Sequence, residues 1–213
     1  VVKALAAGTA TLTATLSKDE KITFEITVTD GVVTEIPREE FDGITSSANT
    51  EQSSGEPAGS GVASAATDGD SSTYWHSQWS GFTVSKENPA ILTVDLGKEM
   101  SIGGFKFQQR PGTNNGIVYK YHYEAFDAAG EKVASSDTIS VDNAQRAGGQ
   151  WITSLFESVA NVKTIKIYVE EGKGNFAAIA EVVPLRMQKV ADSATLDDVT
   201  IKVGEKVRLE AKH

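Results

Sequence analysis

The chain has 213 residues, a length between one average domain and two. Its 20 Lys and Arg residues against 29 Asp and Glu residues give a net charge of −9, which excludes a nucleic-acid partner because such partners need a basic protein face. The absence of cysteine excludes disulfides and thiolate chemistry. No apolar run approaches the roughly 18 residues of a membrane span, so we expect no membrane insertion.

The N-terminal segment alternates apolar and polar residues with a period of two. Ala10–Leu16 and Ile22–Thr29 both follow this pattern, and a polar turn separates them. Alternation of this kind predicts a β-hairpin with one buried face. Because two strands are unstable alone, this hairpin needs further strands to pack against.

The central part of the chain changes from loop-like to strand-like composition. Residues 46–73 are dominated by Ser, Thr, Gly, Ala and Asn, which predicts a loop. Short apolar runs separated by Gly, Pro and Asn follow, a pattern typical of an antiparallel sandwich or barrel. The predicted strands are Ile91–Leu96, Ile102–Gln108, Val118–Ala125, Thr164–Val169 and Phe176–Val183, with Val199–Val203 and Val207–Ala211 in the tail.

Four motifs occur in a characteristic order. Asp68–Trp75 follows the pattern D-G-D-x-x-T-x-W, and Pro89–Gly97 ends in Asp-Leu-Gly. Four residues then separate Arg110 from the sequence Asn-Gly-Ile at 115–117, and Ala177–Val183 forms a closing strand. The ordered set resembles discoidin domains, also called coagulation factor V/VIII type C domains, whose bacterial members are largely family 32 carbohydrate-binding modules. The resemblance covers about residues 40–187 and implies an all-β, antiparallel, galactose-binding-like β-sandwich.

Both flanks resemble a different family. Val2–Val28 resembles the second half of a bacterial Ig-like (group 2) domain, and Asp197–Ala211 resembles the first half of one. These resemblances imply Ig-like β strands at residues 1–36 and 190–213, on either side of the discoidin-type module at 40–187. This order is expected if the sequence is a segment of a longer multimodular chain. The alternative is that both halves pair into one circularly permuted Ig-like domain.

The Asp-Gly-Asp segment offers candidate ligands for a structural Ca²⁺. It begins like an EF-hand loop but lacks the turn glycine and the bidentate Glu. Crowded hard oxygen ligands suit Ca²⁺, and Glu181 lies in an otherwise uncharged run, where an unpaired carboxylate is costly. The alternative is a plain turn with Glu181 at the solvent. The resemblance implies side-chain ligands from Asp68, Thr73 and Glu181, and backbone oxygens from Ala65, Asp70, Thr73 and Ala180.

A second group of residues suggests sugar binding. On a strand through Tyr74–Gln78, Trp75 faces the core, which leaves His76 on the opposite face or at the end of the strand, while Arg110 points outward at the end of its own strand. In family 32 modules a His, an Arg and an Asn commonly bind a galactose-type sugar, and an aromatic ring stacks beneath the sugar. The matching positions are His76, Arg110 and Asn115, with Phe176 as the first stacking candidate and Trp79 as the second.

Each of these residues has a purely structural alternative. Asn115 followed by glycine also suits a hairpin turn that binds nothing. Arg110 is able to pair with a nearby carboxylate, and both Phe176 and Trp79 are able to lie in the core.

An enzyme is not expected, because the chain lacks the nucleophile-elbow, P-loop and zinc-protease motifs. Its three histidines, His76, His122 and His213, are too scattered for a zinc site.

The prediction is a monomeric, non-catalytic carbohydrate-binding module of a secreted or cell-surface multimodular bacterial protein. It would bind terminal galactose or N-acetylhexosamine glycans weakly, as an accessory to an enzyme such as a glycoside hydrolase or a glycan-targeting peptidase. The alternative is an adhesion or spacer module that binds protein or no ligand.

Overall fold

The computed structural model describes residues 8–17, 20–28, 32–41, 43–112 and 115–188. These fall into two compact units, one with the N-terminal hairpin and one that spans Thr34–Arg186. The strands are β1 (Gly8–Ser17), β2 (Glu20–Val28), β3 (Val32–Glu35), β4 (Thr45–Ala48), β5 (Trp75–His76), β6 (Ala90–Gln109), β7 (Val118–Phe126), β8 (Lys132–Ser135), β9 (Ile139–Ser140), β10 (Trp151–Gly172) and β11 (Ala178–Gln188); 3₁₀ helices span Arg38–Glu40, Ala63–Thr67, Asn143–Gln145 and Lys173–Asn175.

The N-terminal unit contains the hairpin that the alternating pattern predicts. β1 and β2 pair antiparallel, with Leu12 opposite Phe24 and Thr13 opposite Thr23. The hairpin prediction is therefore confirmed. The predicted tail strands at 199–203 and 207–211 lie outside the described residues, and the Ig-like resemblance of both flanks stays a prediction.

The larger unit is built on one curled antiparallel sheet. Its strand order is β3-β11-β6-β10-β7-β8, with β4 paired to β6, β5 to β11 and β9 to β7. The predicted strands Ile91–Leu96 and Ile102–Gln108 are parts of the single strand β6. At Gly104 a Cβ atom would lie 2.3 Å from the Ser154 carbonyl oxygen, so glycine is needed where β6 passes close to β10. The all-β antiparallel fold expected from the sequence is confirmed.

Aromatic side chains from the strands pack against one another in a mainly aliphatic core. Phe107 and Tyr121 meet edge to face with ring centroids 5.1 Å apart, and Phe105 and Tyr123 do the same at 5.3 Å. Trp75 is fully buried, and its indole N–H donates to the Thr50 carbonyl at 2.8 Å. The inward orientation that the alternating pattern predicts for Trp75, Phe105 and Phe107 is therefore confirmed.

The segment that composition assigns to a loop is partly regular and partly buried. Residues 45–48 form β4, which pairs with β6, and residues 63–67 form a 3₁₀ helix. Ala63 and Ala66 from this helix belong to the hydrophobic core. The prediction of an irregular loop over 46–73 is wrong here, because methyl side chains let the backbone approach the core closely without large apolar groups.

Within the described residues, no helix is both long and apolar enough to cross a bilayer.

The N-terminal edge of the larger unit begins several residues before the first discoidin-like motif. Ile36 is 2% exposed, belongs to the core and donates its backbone N–H to the Pro184 carbonyl at 3.1 Å. Ion pairs join Glu35 to Lys106 and Glu40 to Arg186. The segment before residue 40 therefore contributes to the packing of this unit.

Ile36→Ala tests this contribution. We expect it to lower the free energy of unfolding of the full chain by about 2–4 kcal/mol, because it empties a buried site. Val133→Ala, at a β-branched residue that is 37% exposed, is the matched control and should cost well under half of that. Urea unfolding followed by fluorescence measures both. Equal effects of the two substitutions would contradict the packing role of Ile36.

Candidate functional site

Arg110 and Asn115 are held together at one end of β6. Arg110 follows the last residue of β6 and is only 7% exposed. Its Nη1 donates to Asn115 Oδ1 at 3.1 Å and to the Asn115 carbonyl at 3.3 Å. Asn115 is therefore more than a turn residue, because its side chain is fixed by a guanidinium.

His76 faces the same cluster from the end of β5. At Gly116, where φ is +85°, a Cβ would lie 3.2 Å from His76 Nε2, so glycine lets the Asn115 loop pack closely against the imidazole. The sequence pattern places His76 either on the face opposite Trp75 or at the end of the strand, and in the structure it is the last residue of β5. β5 contains only Trp75 and His76, and both are fully buried.

The protonation state of His76 follows from its burial. Burial lowers the pKa of the His76 imidazole, which keeps the ring neutral at neutral pH. Its Nδ1 lies 2.6 Å from the Ser77 carbonyl and so carries the proton. Nε2 is then an acceptor, and it lies 3.4 Å from Asn115 Oδ1, which is also an acceptor because Arg110 donates to it. The Nε2 lone pair therefore receives no proton from Asn115, and the ring is packed in the interior.

Two residues that sequence reasoning missed complete the cluster. Tyr74 lies under Arg110, with the guanidinium carbon 4.1 Å from the ring centroid, and Arg110 Nη2 donates to the Tyr74 hydroxyl at 2.7 Å. The hydroxyl in turn donates to Glu56 Oε2 at 2.6 Å. Burial raises the pKa of Tyr74 to about 12, so the hydroxyl keeps its proton. Among the described residues Arg110 forms no direct ion pair, and Tyr74 links it to the Glu56 carboxylate.

Aromatic rings border the cluster on two sides. The Phe176 ring is half-buried, and its centroid lies 5.4 Å from that of His76. Trp79 lies 6.4 Å from His76 edge to face, is 45% exposed and donates its indole N–H to Glu56 Oε1 at 3.1 Å. Neither ring is a fully buried core residue, so the core alternative does not apply. All five sugar-binding residues predicted from the sequence lie in this cluster.

The chemistry of this cluster is recognition rather than bond cleavage. It offers a guanidinium fixed by partners, an imidazole acceptor and a buried carboxylate beside two aromatic faces. The Nε atom of Arg110 is buried with no partner among the described residues. Such a set suits a polyhydroxylated ligand, because hydroxyls both donate and accept while an aromatic face takes C–H groups.

The residues predicted to bind Ca²⁺ lie in a second cluster. Thr73 Oγ1 donates to Asp68 Oδ2 at 2.7 Å, and the Gly69 N–H donates to Glu181 Oε1 at 2.6 Å. Asp70 accepts bonds from the Ser72 backbone and hydroxyl. Two of the four residues expected to offer backbone oxygens are buried beside the loop, Ala65 in the 3₁₀ helix before it and Ala180 next to Glu181 in β11.

The electrostatics of this loop suit a cation. Glu181 is 6% exposed, and burial raises its pKa to about 7, with the nearby Asp68 carboxyl adding to the increase and the Gly69 N–H opposing it. Neither carboxylate forms an ion pair within the described part of the chain. No three His, Cys, Asp or Glu side chains there come together as a metal-binding group, so a cation would depend on backbone oxygens as well.

Comparison with known protein families identifies the chain. Residues 44–182 match the F5/8 type C domain family. The chain belongs to this family. The resemblance inferred from the ordered motifs is therefore correct, and the curled sheet is the β-sandwich of the F5/8 type C, or discoidin, fold.

Several solved structures share this fold. The family 32 carbohydrate-binding module of C. perfringens NanJ, solved with galactose, is 28% identical, with a TM-score of 0.58 and coverage of 73% of this chain and 100% of that one. CpGH89CBM32-5 from Clostridium perfringens, solved with GalNAc-β-1,3-galactose, is 23% identical (TM-score 0.58; 71% and 99% covered). The lectin domain of lectinolysin, solved with Lewis B antigen, is 21% identical (TM-score 0.52; 68% and 94% covered).

Tyr74→Phe tests the role of the Tyr74 hydroxyl between Arg110 and Glu56. We expect it to lower the free energy of unfolding by about 1–3 kcal/mol, because two buried charged groups each lose a partner. Tyr119→Phe is the control, since the Tyr119 hydroxyl has no hydrogen bond in the described part of the chain and its ring also lies under an arginine. Chemical denaturation measures both. A Tyr74→Phe protein as stable as Tyr119→Phe would show that the link contributes nothing.

Proposed function

We propose that the F5/8 type C domain of this chain is a non-catalytic carbohydrate-binding module for glycans that end in galactose or an N-acetylhexosamine. The observation that carries the proposal is the cluster of His76 with the hydrogen-bonded pair Arg110 and Asn115, bordered by the rings of Phe176 and Trp79. The galactose complex of the 28% identical NanJ module supports it.

Each group in the cluster has a distinct part in holding the sugar. Arg110 is proposed as the hydrogen-bond donor to the sugar and the neutral His76 as the acceptor. Phe176 and Trp79 provide the apolar faces against which the C–H groups of a sugar ring pack. Glu56 holds the Trp79 indole and the Tyr74 hydroxyl, so it fixes one ring and the guanidinium at the same time.

A spacer or protein-adhesion module is the competing proposal. It predicts that His76, Arg110 and Asn115 are dispersed and that the nearby aromatics are buried. The observed cluster and the 45% exposure of Trp79 favour glycan binding instead.

The proposal extends to the biological setting. Few polar contacts offset the hydration of a sugar, so monovalent affinity should be weak, and avidity from further modules on the same chain would raise it. We propose that the domain is a monomeric accessory module of a secreted or cell-surface bacterial protein such as a glycoside hydrolase or a glycan-targeting peptidase.

We further propose a structural Ca²⁺ at the second cluster. The side chains of Asp68, Thr73 and Glu181 would hold it together with backbone oxygens of Ala65, Asp70, Thr73 and Ala180. When bound, the ion supplies positive charge between two carboxyl groups. Glu181 supports the proposal because it is buried in β11, lacks an ion pair among the described residues and contacts the loop through Gly69.

Substitution of the cluster tests the sugar site. The full chain should bind galactose- or N-acetylhexosamine-terminated glycans on an array, and Trp79→Ala should weaken that binding about tenfold in calorimetry because an aromatic face is lost. Arg110→Lys should weaken it at least as much, since an ammonium cannot reproduce the guanidinium fork. Leu155→Ala removes a similarly exposed apolar side chain elsewhere and should bind like the wild type. A wild-type chain that binds no such glycan, or variants that bind equally well, would contradict the proposal.

Chelation tests the Ca²⁺ site. Addition of Ca²⁺ to EDTA-treated protein should raise the melting temperature, because an ion bound only to the folded state at 100 times its Kd adds about 2.7 kcal/mol of stability. Asp68→Asn should abolish most of this increase. Asp137→Asn, at an exposed aspartate outside the cluster, should retain it. A melting temperature that is indifferent to Ca²⁺ would rule the ion out.

A further inference from the structure

A groove with a mixed polar and apolar lining lies on the face of the sheet that points away from the core. It has a volume of about 480 Å³, within the range of small-molecule sites. Strand alternation places Tyr121 in the core and its neighbours Lys120 and His122 on the groove face of β7. The groove is lined by Val84, Ser85, Lys86, Lys120, Thr138, Ser140, Glu170, Glu171 and Asn175.

The floor of the groove is a buried carboxylate held in place. Glu170 is 6% exposed, and its Oε1 lies 2.6 Å from His122 Nδ1 while its Oε2 accepts from Thr138 Oγ1 at 2.8 Å. The His122 ring stacks on Tyr168 with centroids 4.4 Å apart and planes 8° apart. A carboxylate fixed by two donors presents its remaining lone pairs to the groove in a set geometry.

The walls of the groove alternate in charge. Lys120 pairs with Glu171 at 2.6 Å, and Lys86 forms no ion pair within the described residues. With Glu170 these groups give two ammonium and two carboxylate groups, which largely cancel. A mixture of fixed donors and acceptors with little net charge favours a neutral, hydroxyl-rich ligand over an anion or a cation.

One short turn separates this groove from the proposed sugar site. Asn175, at φ +63°, lines the groove, and the next residue, Phe176, contacts His76 at the sugar site. A Cβ atom added at Gly174, the residue before Asn175, would lie 3.3 Å from both Asn115 and the Phe176 ring, so this turn packs closely against both residues. The backbone N–H of Val84 donates to the Asn175 carbonyl at 3.0 Å, which ties the groove wall to this turn.

We infer that the groove is an extended subsite for the neutral sugar units that follow the terminal one in a bound glycan. The inference rests on the proposed function, because it assumes that the terminal unit lies at His76, Arg110 and Asn115. A long glycan crosses the turn at Asn175 and exchanges hydrogen bonds with Ser140, Lys120 and Glu170. The domain therefore recognises several consecutive units of an oligosaccharide and not only its terminal sugar.

The test compares short and long ligands on the full chain. The ligands are methyl β-galactoside and two galactose-terminated tetrasaccharides, one with a β1,3 and one with a β1,4 terminal linkage. Ser140→Trp fills the groove from the exposed edge strand β9, and Ser135→Trp places the same bulk on the exposed edge strand β8. Calorimetry gives the affinities, and NMR shift mapping of backbone amides gives the residues contacted.

We expect at least one tetrasaccharide to bind the wild type about five- to tenfold more tightly than methyl β-galactoside, a gain of one or two net hydrogen bonds. Its addition should shift the amides of Thr138, Ser140 and Glu171, which the monosaccharide leaves unchanged. Ser140→Trp should remove the gain and leave monosaccharide binding intact, while Ser135→Trp changes neither.

Other results separate the two proposals. If methyl β-galactoside binds at Arg110 but neither tetrasaccharide gains affinity or shifts the groove amides, the subsite is wrong and the sugar site stands. If tetrasaccharide binding survives Arg110→Lys yet is lost in Ser140→Trp, the groove is an independent site and the subsite is again wrong. If no ligand shifts the amides of His76 or Arg110, the proposed function itself fails.

Discussion

The buried guanidinium of Arg110 is the group on which the site depends. A cation removed from water is costly unless its N–H groups find partners. Asn115 and Tyr74 are those partners, and the Tyr74 hydroxyl in turn donates a hydrogen bond to the Glu56 carboxylate. Three segments of the chain, those of Glu56, Tyr74 and Arg110–Asn115, are thereby held together around one charge. The Nε atom of Arg110 is buried without a partner among the described residues, so the guanidinium is not fully satisfied by this arrangement.

Much of this organisation could be predicted from the sequence, because its patterns are local or follow the chain in order. Alternation predicted the inward rings of Phe105 and Phe107, and the ordered motifs predicted the family. The five residues assigned to the sugar site lie together because four of them, His76, Arg110, Asn115 and Phe176, lie close to ends of β5, β6, β7 and β11. The exposure of Trp79 was left open, since the parity argument assumed a strand through Tyr74–Gln78, whereas β5 ends at His76.

The missed features arise from contacts between segments far apart in the chain. Glu56 lies in a loop rich in Ser and Gly, and nothing in its neighbourhood shows that its carboxylate meets Tyr74. The buried alanines at 63 and 66 were missed because composition measures the size of side chains and not how closely the backbone approaches. The groove on the outer face combines β7, β9, β10 and two turns, a set that no sequence spacing indicates.

The indole of Trp79 has a consequence for spectroscopy. Among the three tryptophans, Trp75 is enclosed in the core and Trp151 lies under the Lys106 ammonium, 3.9 Å from the ring centroid. Trp79 alone combines substantial solvent exposure with a hydrogen bond to Glu56 at the edge of the cluster. A molecule that displaces water from its face changes the emission of this one fluorophore. The chain therefore carries its own optical reporter of occupancy, and no label is required.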